Sequence, residues 1–369
     1  CFANGVYDFD IKCFRNGKPD DYISKTTNIA YNTLDPKKHK KQIDEINDFM
    51  MKLFPEKELR DYMWEHLAST LIGENNDQTF NIYNGNGSNG KSKLVELMSM
   101  CLGDYKATVP ITLIAAKRNS IGSTSSEVAQ LKGIRYAVMQ EPSKGDRINE
   151  GIMKEITGGD PLQARALFKE SVTFIPQFKL VVTCNVLMEI KSNDHGTWRR
   201  IRAVPFKSLF TDNPVEGDTE KPYQYKLDKS IDEKFDSWKE VFLSMLIQRA
   251  DKTNGIVNDC DIVMQKSNEY RKSQDYLSEF VEDCIERSPN PNICVQKGEL
   301  KGEFNRWYDI NYGGRGPSTK DLHDYMDRCF GKNRGSKWFG IGIKYQDTTE
   351  DQEYDVIKNN TTDVNINGL

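Results

Sequence analysis

An α/β fold on a mainly parallel sheet is predicted for this chain by two observations. Between Thr79 and about Phe210, strand-like apolar runs (Phe80 to Tyr83, Tyr136 to Met139, Lys179 to Thr183) alternate with helix-like ones (Lys91 to Leu102, Asn149 to Ile156). That alternation buries helices against a parallel sheet. The first strand also runs into Gly85-Asn86-Gly87-Ser88-Asn89-Gly90-Lys91-Ser92, a full match to G-x-x-x-x-G-K-[ST], and the helical run KLVELMSMCL follows it. Strand, glycine-rich loop and helix in this order are what a phosphate-binding loop requires.

The other elements follow in chain order. Residues 1–37 alternate short apolar pieces with turn residues (Asn4-Gly5, Asn16-Gly17-Lys18-Pro19) and read as a β-rich lead-in, the end of an upstream region. Residues 38–75 change to a helical period. Ile43, Ile46, Phe49, Met50 and Leu53 share one face, and Leu59, Tyr62, Met63, Leu67 and Leu71 repeat the pattern after Pro55. The core spans 76–210, and a helical extension that opens on the polar loop TDNPVEGDTEKP spans 211–275. A basic, aromatic module covers 276–345, and an acidic, Asn/Thr-rich tail (346–369) is expected to be loosely held.

Composition narrows the function. With 29% charged residues and a mean hydropathy of -0.68, the chain has no stretch near the roughly 18–20 apolar residues of a membrane span, so no membrane partner is expected. The opening CFANGVYDFD lacks a basic start with an apolar run, which predicts no secretory signal, and a start at Cys1 suggests a fragment of a longer polypeptide. Eight cysteines without a C-x-x-C pair, beside four histidines, predict free thiols rather than a zinc site. Net charge is -4, yet Lys154 to Lys207 holds nine basic against five acidic residues and Lys297 to Lys344 ten against six. Local basic windows of this kind fit either nucleic-acid contact or solvated faces.

Each candidate residue has a chemical reason. Glycines of the loop let several N–H groups turn inward around phosphate oxygens, and the helix after it adds its positive end. Lys91 is then placed to reach the β and γ phosphates of ATP, and Ser92 to ligate Mg²⁺. The strand through Met139 ends in Gln140-Glu141, so Glu141 is the acid available for Mg²⁺ and for polarising the attacking water. Lys179 to Cys184 ends in Asn185, whose amide can hold that water or the γ-phosphate, or simply start a turn. Gln163 to Phe168 and Ser171 to Ile175 read as a β-hairpin joined by Lys169-Glu170. Trp198-Arg199-Arg200-Ile201-Arg202 offers an arginine for the transferred phosphoryl group across a subunit boundary. Surface arginines more often form rim salt bridges, and only the position after the Asn185 strand sets these apart.

Taken together, GNGSNGKS, QEPSKG, MKEITGGDPLQARALF, FKLVVTCN and WRRIRAVPF resemble, in that order, the helicase domain of the poxvirus and giant-virus primase-helicases and related phage and plasmid primases, within superfamily 3. The resemblance covers about Lys38 to Phe210. EFNRWYDIN and KWFGIGIKY look like the winged-helix module found at the C-terminus of such proteins. It implies an AAA+-like core behind a helical collar, assembled as a homo-hexamer that uses ATP and Mg²⁺ to translocate 3′ to 5′ on single-stranded DNA at a replication fork. Other replication proteins and an intracellular replication site are implied with it. Lys91 and Ser92 match the Walker A residues, Glu141 the Walker B acid, Asn185 the sensor, and Arg199 or Arg200 the arginine finger. Lys154, Gly158, Gly159, Asp160 and Arg165 match a further motif between the Walker B and sensor strands, and Lys169 stands where the pore hairpin would touch DNA. Gln140 departs from the acid that many members carry. The N-terminal primase is absent, so primer synthesis is not expected of this fragment.

Two other readings compete. One is a P-loop ATPase of another class without motor activity, such as a nucleotide kinase or a signalling ATPase; a kinase would need a lid and an acceptor pocket, for which the sequence offers no candidate. In an ATP-stabilised DNA-binding scaffold the aromatic C-terminal module would be the working part and Glu141 dispensable.

Overall fold

Between the Asn4-Gly5 turn and Gly17-Lys18-Pro19 the first residues form a hairpin of β1 (Val6–Asp8) and β2 (Cys13–Arg15), joined by a turn over 9–12 in which Lys12 is left-handed (φ 51°). Its aromatic side packs Phe14 on Tyr31 with ring centroids 4.7 Å apart. The computed structural model describes residues 1–115, 125–142, 146–190, 194–313 and 319–344. The acidic tail, Tyr345 and positions 143–145 of the QEPSKG motif lie outside the described residues.

Pro55 separates two helices, α1 (Lys40–Leu53) and α2 (Lys57–Ser69), and their apolar faces enter one core. β3 (Phe80–Asn84) leads through the glycine-rich loop into α3 (Lys91–Leu102). After it come β4 (Lys106–Thr108), the one-turn helices α4 (Thr112–Ala115) and α5 (Ser126–Ala129), β5 (Tyr136–Gln140) and α6 (Glu150–Thr157). A hairpin of β6 (Leu162–Arg165) and β7 (Ser171–Phe174) precedes β8 (Lys179–Cys184), α7 (His195–Trp198) and β9 (Ile201–Pro205). The expected polar loop is bracketed by a parallel pair, β10 (Leu209–Thr211) and β11 (Gln224–Lys226), and helices α8 (Ile231–Thr253) and α9 (Asp261–Gln274) follow.

Among the described residues the central sheet has five strands in the order β4-β5-β8-β3-β9, every neighbouring pair parallel. Successive side chains point to opposite faces, and the split is visible in the packing. Tyr83, Tyr136, Val138, Val181 and Val204 join the core with α1, α2, α3 and α8. Phe80, Ile82, Ala137, Met139, Leu180 and Val182 join a second core with α6 and the β6–β7 hairpin. Strands buried on both faces read as continuous apolar runs, which is why β3, β5 and β8 are legible in the sequence. The sequence reading missed β4, only three residues long, and took β9 as an arginine cluster with an apolar tail.

Two buried polar contacts tie α2 and the turn after it to the sheet. Lys179, nearly fully buried at the start of β8, pairs with Asp77 at 2.5 Å. Burial works against the Asp77 charge, but the Lys179 ammonium and hydrogen bonds from Lys179 and Thr79 outweigh it and hold the carboxyl below its usual range. His66 on α2 meets the Tyr83 hydroxyl at 2.9 Å, and burial lowers its pKa to about 3. Its folded-state value lies below the unfolded one, so this stability is fully present above pH 6.5 and is lost as pH falls toward 3. One such proton contributes a slope of about 1.4 kcal/mol per pH unit. Unfolding curves from pH 7 to 4 should therefore flatten by that slope in His66→Gln, and equal slopes would contradict the assignment.

Residues 1–274 form one compact unit and residues from 275 another. The second contains α10 (Tyr276–Cys284), β12 (Ile285–Arg287), β13 (Cys294–Gln296), α11 (Lys297–Tyr312), α12 (Thr319–Phe330), β14 (Lys337–Phe339) and β15 (Ile341–Ile343). β12 pairs with β15 and β13 with β14, both antiparallel. Its core holds Phe280, Phe304 and two tryptophans, each indole N–H donating to an aspartate: Trp307 to Asp283 at 3.0 Å and Trp338 to Asp327 at 2.9 Å. No helix among the described residues is long and apolar enough to cross a membrane.

Candidate functional site

The ends of three neighbouring strands meet at one edge of the sheet. The Gly85 N–H after β3 donates to the Cys184 carbonyl at 3.3 Å, and the Glu141 N–H after β5 donates to the Thr183 carbonyl at 3.1 Å. Ladder geometry thus brings the loop, Glu141 and Asn185 to the carboxyl edge, where open parallel sheets bind ligands.

Two glycines are required by close approach. A Cβ on Gly90, at φ 83°, would stand 2.2 Å from Leu53 Cδ2 of α1, and one on Gly85 would stand 2.6 Å from the Phe206 carbonyl oxygen. The loop is pinned by the Phe210 N–H donating to the Ser88 carbonyl at 2.7 Å. Lys91 opens α3 and is buried, and its ammonium donates to the Gly85 carbonyl at 2.5 Å and to Asn185 Oδ1 at 3.1 Å. Both acceptors are neutral, and burial lowers the Lys91 pKa. A site of this kind favours an anion beside the ammonium.

A cavity of about 450 Å³ opens at this edge, within the range of small-molecule sites. Ser88, Asn89, Lys91 and Ser92 line it together with Glu141 and Asn185. Gly85 and Asn86 instead line a second cavity of about 530 Å³ on the other side of the loop. Glu141 has φ 48°, and it precedes Pro142. A left-handed non-glycine residue costs on the order of 1–3 kcal/mol, and such strain gathers at functional sites. The far wall was not anticipated: Phe49 of α1, Phe210 of β10, and Leu227, Ile231 and Trp238 around the start of α8. Of the charged groups beside them, Asp48 pairs with Lys52 and Asp228 with Lys234 at 2.6 Å each, Glu45 accepts from the Trp238 indole at 2.9 Å, and Lys226 also lines this end. That end thus sets aromatic and apolar side chains beside these charged groups.

Two family models match the chain: "D5 N terminal like" over residues 1–55, and a family of unknown function, DUF5906, over residues 83–200. The chain is 39% identical over 332 residues to an Acanthamoeba polyphaga mimivirus protein named "Putative helicase", a match covering 88% of this chain and 34% of that one. A second protein so named, from Invertebrate iridescent virus 3, is 30% identical over 88% of this chain and 36% of its own length. An African swine fever virus "Putative primase" is 26% identical over 78% of this chain and 31% of its own length. The first 55 residues of this chain match the D5 N-terminal-like model, and these relatives are viral proteins named "Putative helicase" or "Putative primase". The chain spans about a third of the length of these curated relatives. Among solved structures, the C-terminal region of NrS-1 aligns with 86% of this chain and 78% of that one, at a TM-score of 0.44 and 11% identity.

The other candidate residues lie outside the cavity lining. Lys154 on α6 donates to both carboxylate oxygens of Asp194 at 2.9 Å. The hairpin is shorter than expected: its strands stop at Arg165 and resume at Ser171, with Ala166 to Glu170 as the loop. Lys-Glu does not suit a two-residue turn, which needs left-handed residues at its centre. Phe168 takes the left-handed conformation instead (φ 58°), and Arg165 Nε donates to the Lys169 carbonyl at 3.2 Å. Lys169 is exposed on that loop, beside a Phe168 that is 95% exposed. The two arginines differ sharply. Arg200 is 8% exposed and donates to the Gly196 carbonyl at 2.6 Å, whereas Arg199 is exposed.

Proposed function

We propose that this chain is the nucleotide-hydrolysing motor of a viral replication helicase, a superfamily 3, AAA+-like subunit that works as a hexameric ring moving 3′ to 5′ along single-stranded DNA. In this reading α1 and α2 belong to the collar and residues from 275 to a winged-helix-like module. The observation that carries the reading is the convergence of Lys91, Glu141 and Asn185, from three different strand ends, on one cavity beside a glycine loop.

The residues fit ATP with Mg²⁺ by their chemistry. The first turn of α3 presents N–H groups that have no intrahelical partner, Lys91 is a buried cation among neutral oxygens, and Ser92 and Glu141 supply oxygens of the kind that Mg²⁺ accepts. When bound, the metal would neutralise charge on the phosphates. Glu141 would orient a water and accept its proton, Asn185 would hold that water while keeping Lys91 in place, and the base would rest against Phe49, Phe210 and Trp238. Arg199 rather than Arg200 would serve a neighbouring subunit, because Arg200 is buried in its own. Lys169 and Arg165 would meet DNA phosphates at the hairpin, and Lys154 would act there through its tie to Asp194.

Two variants test this reading by steady-state hydrolysis. Glu141→Gln should lose turnover by roughly 10²–10⁴-fold while still binding nucleotide, the size expected for a general base. Phe210→Ala should raise KM about tenfold, near 1.4 kcal/mol of lost ring contact, with kcat unchanged. A Glu141→Gln chain that turns over like the wild type would overturn the proposal.

A further inference from the structure

Gln78 sits in the turn ahead of β3, outside every candidate motif, and its backbone is left-handed at φ 53°. Its amide makes three contacts. Oε1 accepts from Arg199 Nη2 at 2.5 Å and from Arg200 Nη2 at 2.9 Å, and Nε2 donates to the Gly158 carbonyl at 2.6 Å. Gly158 ends α6, and from there the chain turns through Gly159 (φ 83°), Asp160 and Pro161 into β6. A second tie runs parallel to the first. Lys154 of α6 holds Asp194, and Asp194 caps α7 through the Thr197 N–H at 3.0 Å and hydroxyl at 2.7 Å. Asn75, whose carbonyl accepts the Gln78 N–H at 3.1 Å, also donates to the Thr157 carbonyl at 3.1 Å. The turn bearing the arginines therefore rests on the end of α6 that feeds the hairpin.

We propose that Gln78 is a positioning residue that couples Arg199 to the root of the β6–β7 hairpin. This rests on the reading of Arg199 as serving a neighbouring nucleotide site and of the hairpin as a DNA contact. The choice of a neutral amide explains the device. An anion competes well for a guanidinium held by a neutral carbonyl oxygen, because a phosphate adds the attraction of a full opposite charge and can accept two parallel N–H bonds. Arg199 can thus leave for a phosphate while the buried Arg200 stays on the same oxygen. A change in the grip on Oε1 is felt at Gly158 because one planar amide makes both contacts. Gln78 touches neither nucleotide nor DNA in this account.

The test compares hydrolysis with and without single-stranded DNA for the wild type, Gln78→Leu, Gln78→Glu and Gln78→Gly. Coupling of the usual allosteric size predicts a roughly 5- to 150-fold stimulation that Gln78→Leu removes while hydrolysis without DNA stays at the wild-type level. Gln78→Glu keeps an acceptor for Arg199, now charged, and loses the donor to Gly158, so hydrolysis should fall both with and without DNA. Gln78→Gly relaxes the left-handed backbone, so it should lose stimulation without a lower Tm, which separates coupling from folding. A wild type indifferent to DNA overturns the motor reading and this proposal with it. A stimulated wild type whose Leu and Gly variants are stimulated as strongly overturns the Gln78 proposal alone.

Discussion

Lys91→Ala is expected to abolish nucleotide hydrolysis and leave the fold nearly intact. Lys91 opens α3, and its ammonium bridges the Gly85 carbonyl and Asn185 Oδ1, so it holds two parts of the site together without a carboxylate partner. Removing one preorganised charge of this kind costs about 10²–10³-fold in kcat. Nucleotide affinity should weaken too, since Lys91 is the loop's own cation in that cavity. Stability should change little, because the two hydrogen bonds lost, at about 1.5–3 kcal/mol apiece for a charged donor, are offset by no longer burying the ammonium. Lys91→Arg should not rescue activity, because a planar guanidinium cannot replace a compact ammonium in a buried slot. Kinetics alongside thermal unfolding check this. A large fall in Tm with normal residual turnover would make Lys91 a structural strut.

Arg199→Ala should be at least as damaging, and its loss should be repaired from outside the subunit. Arginine fingers contribute about 10³–10⁵-fold in kcat, and the exposed Arg199 can be presented to a neighbour whereas the buried Arg200 cannot. In the proposed head-to-tail ring each site would use its own Lys91 and the next subunit's Arg199. Mixing inactive Lys91→Ala with inactive Arg199→Ala chains in equal amounts should therefore restore about a quarter of the sites by random assembly. Hydrolysis after mixing, read beside the mass of the assembly, checks this. An assembled mixture that stays inactive would place the arginine's role within its own subunit.

The site was legible where the chemistry is local in the chain. Gly85 to Ser92 carries its own conformational and charge requirements, and β3, β5 and β8 announce themselves because both faces are covered. Glu141 and Asn185 could be named because each follows such a strand, and register alone then sets them beside the loop. What the sequence hid depends on approach in space. Phe49 looked like one more apolar residue of a helix, Phe210 like the last residue of the core, and Leu227 and Trp238 came from a segment read as loop and extension. Their shared cavity exists only because α1 and α8 close over the sheet edge. Arg199 and Arg200 are indistinguishable by type and neighbourhood, and burial separates them. Gln78 carries no motif signal at all, since its role lies in three hydrogen bonds to residues far along the chain.

Hydrolysis with and without single-stranded DNA, at matched salt because phosphate contacts are salt-sensitive, is the most direct test that nucleotide turnover here drives movement on DNA. The account predicts turnover that DNA stimulates and that Lys91→Ala abolishes in both conditions. Turnover indifferent to DNA in an assembled ring would contradict it.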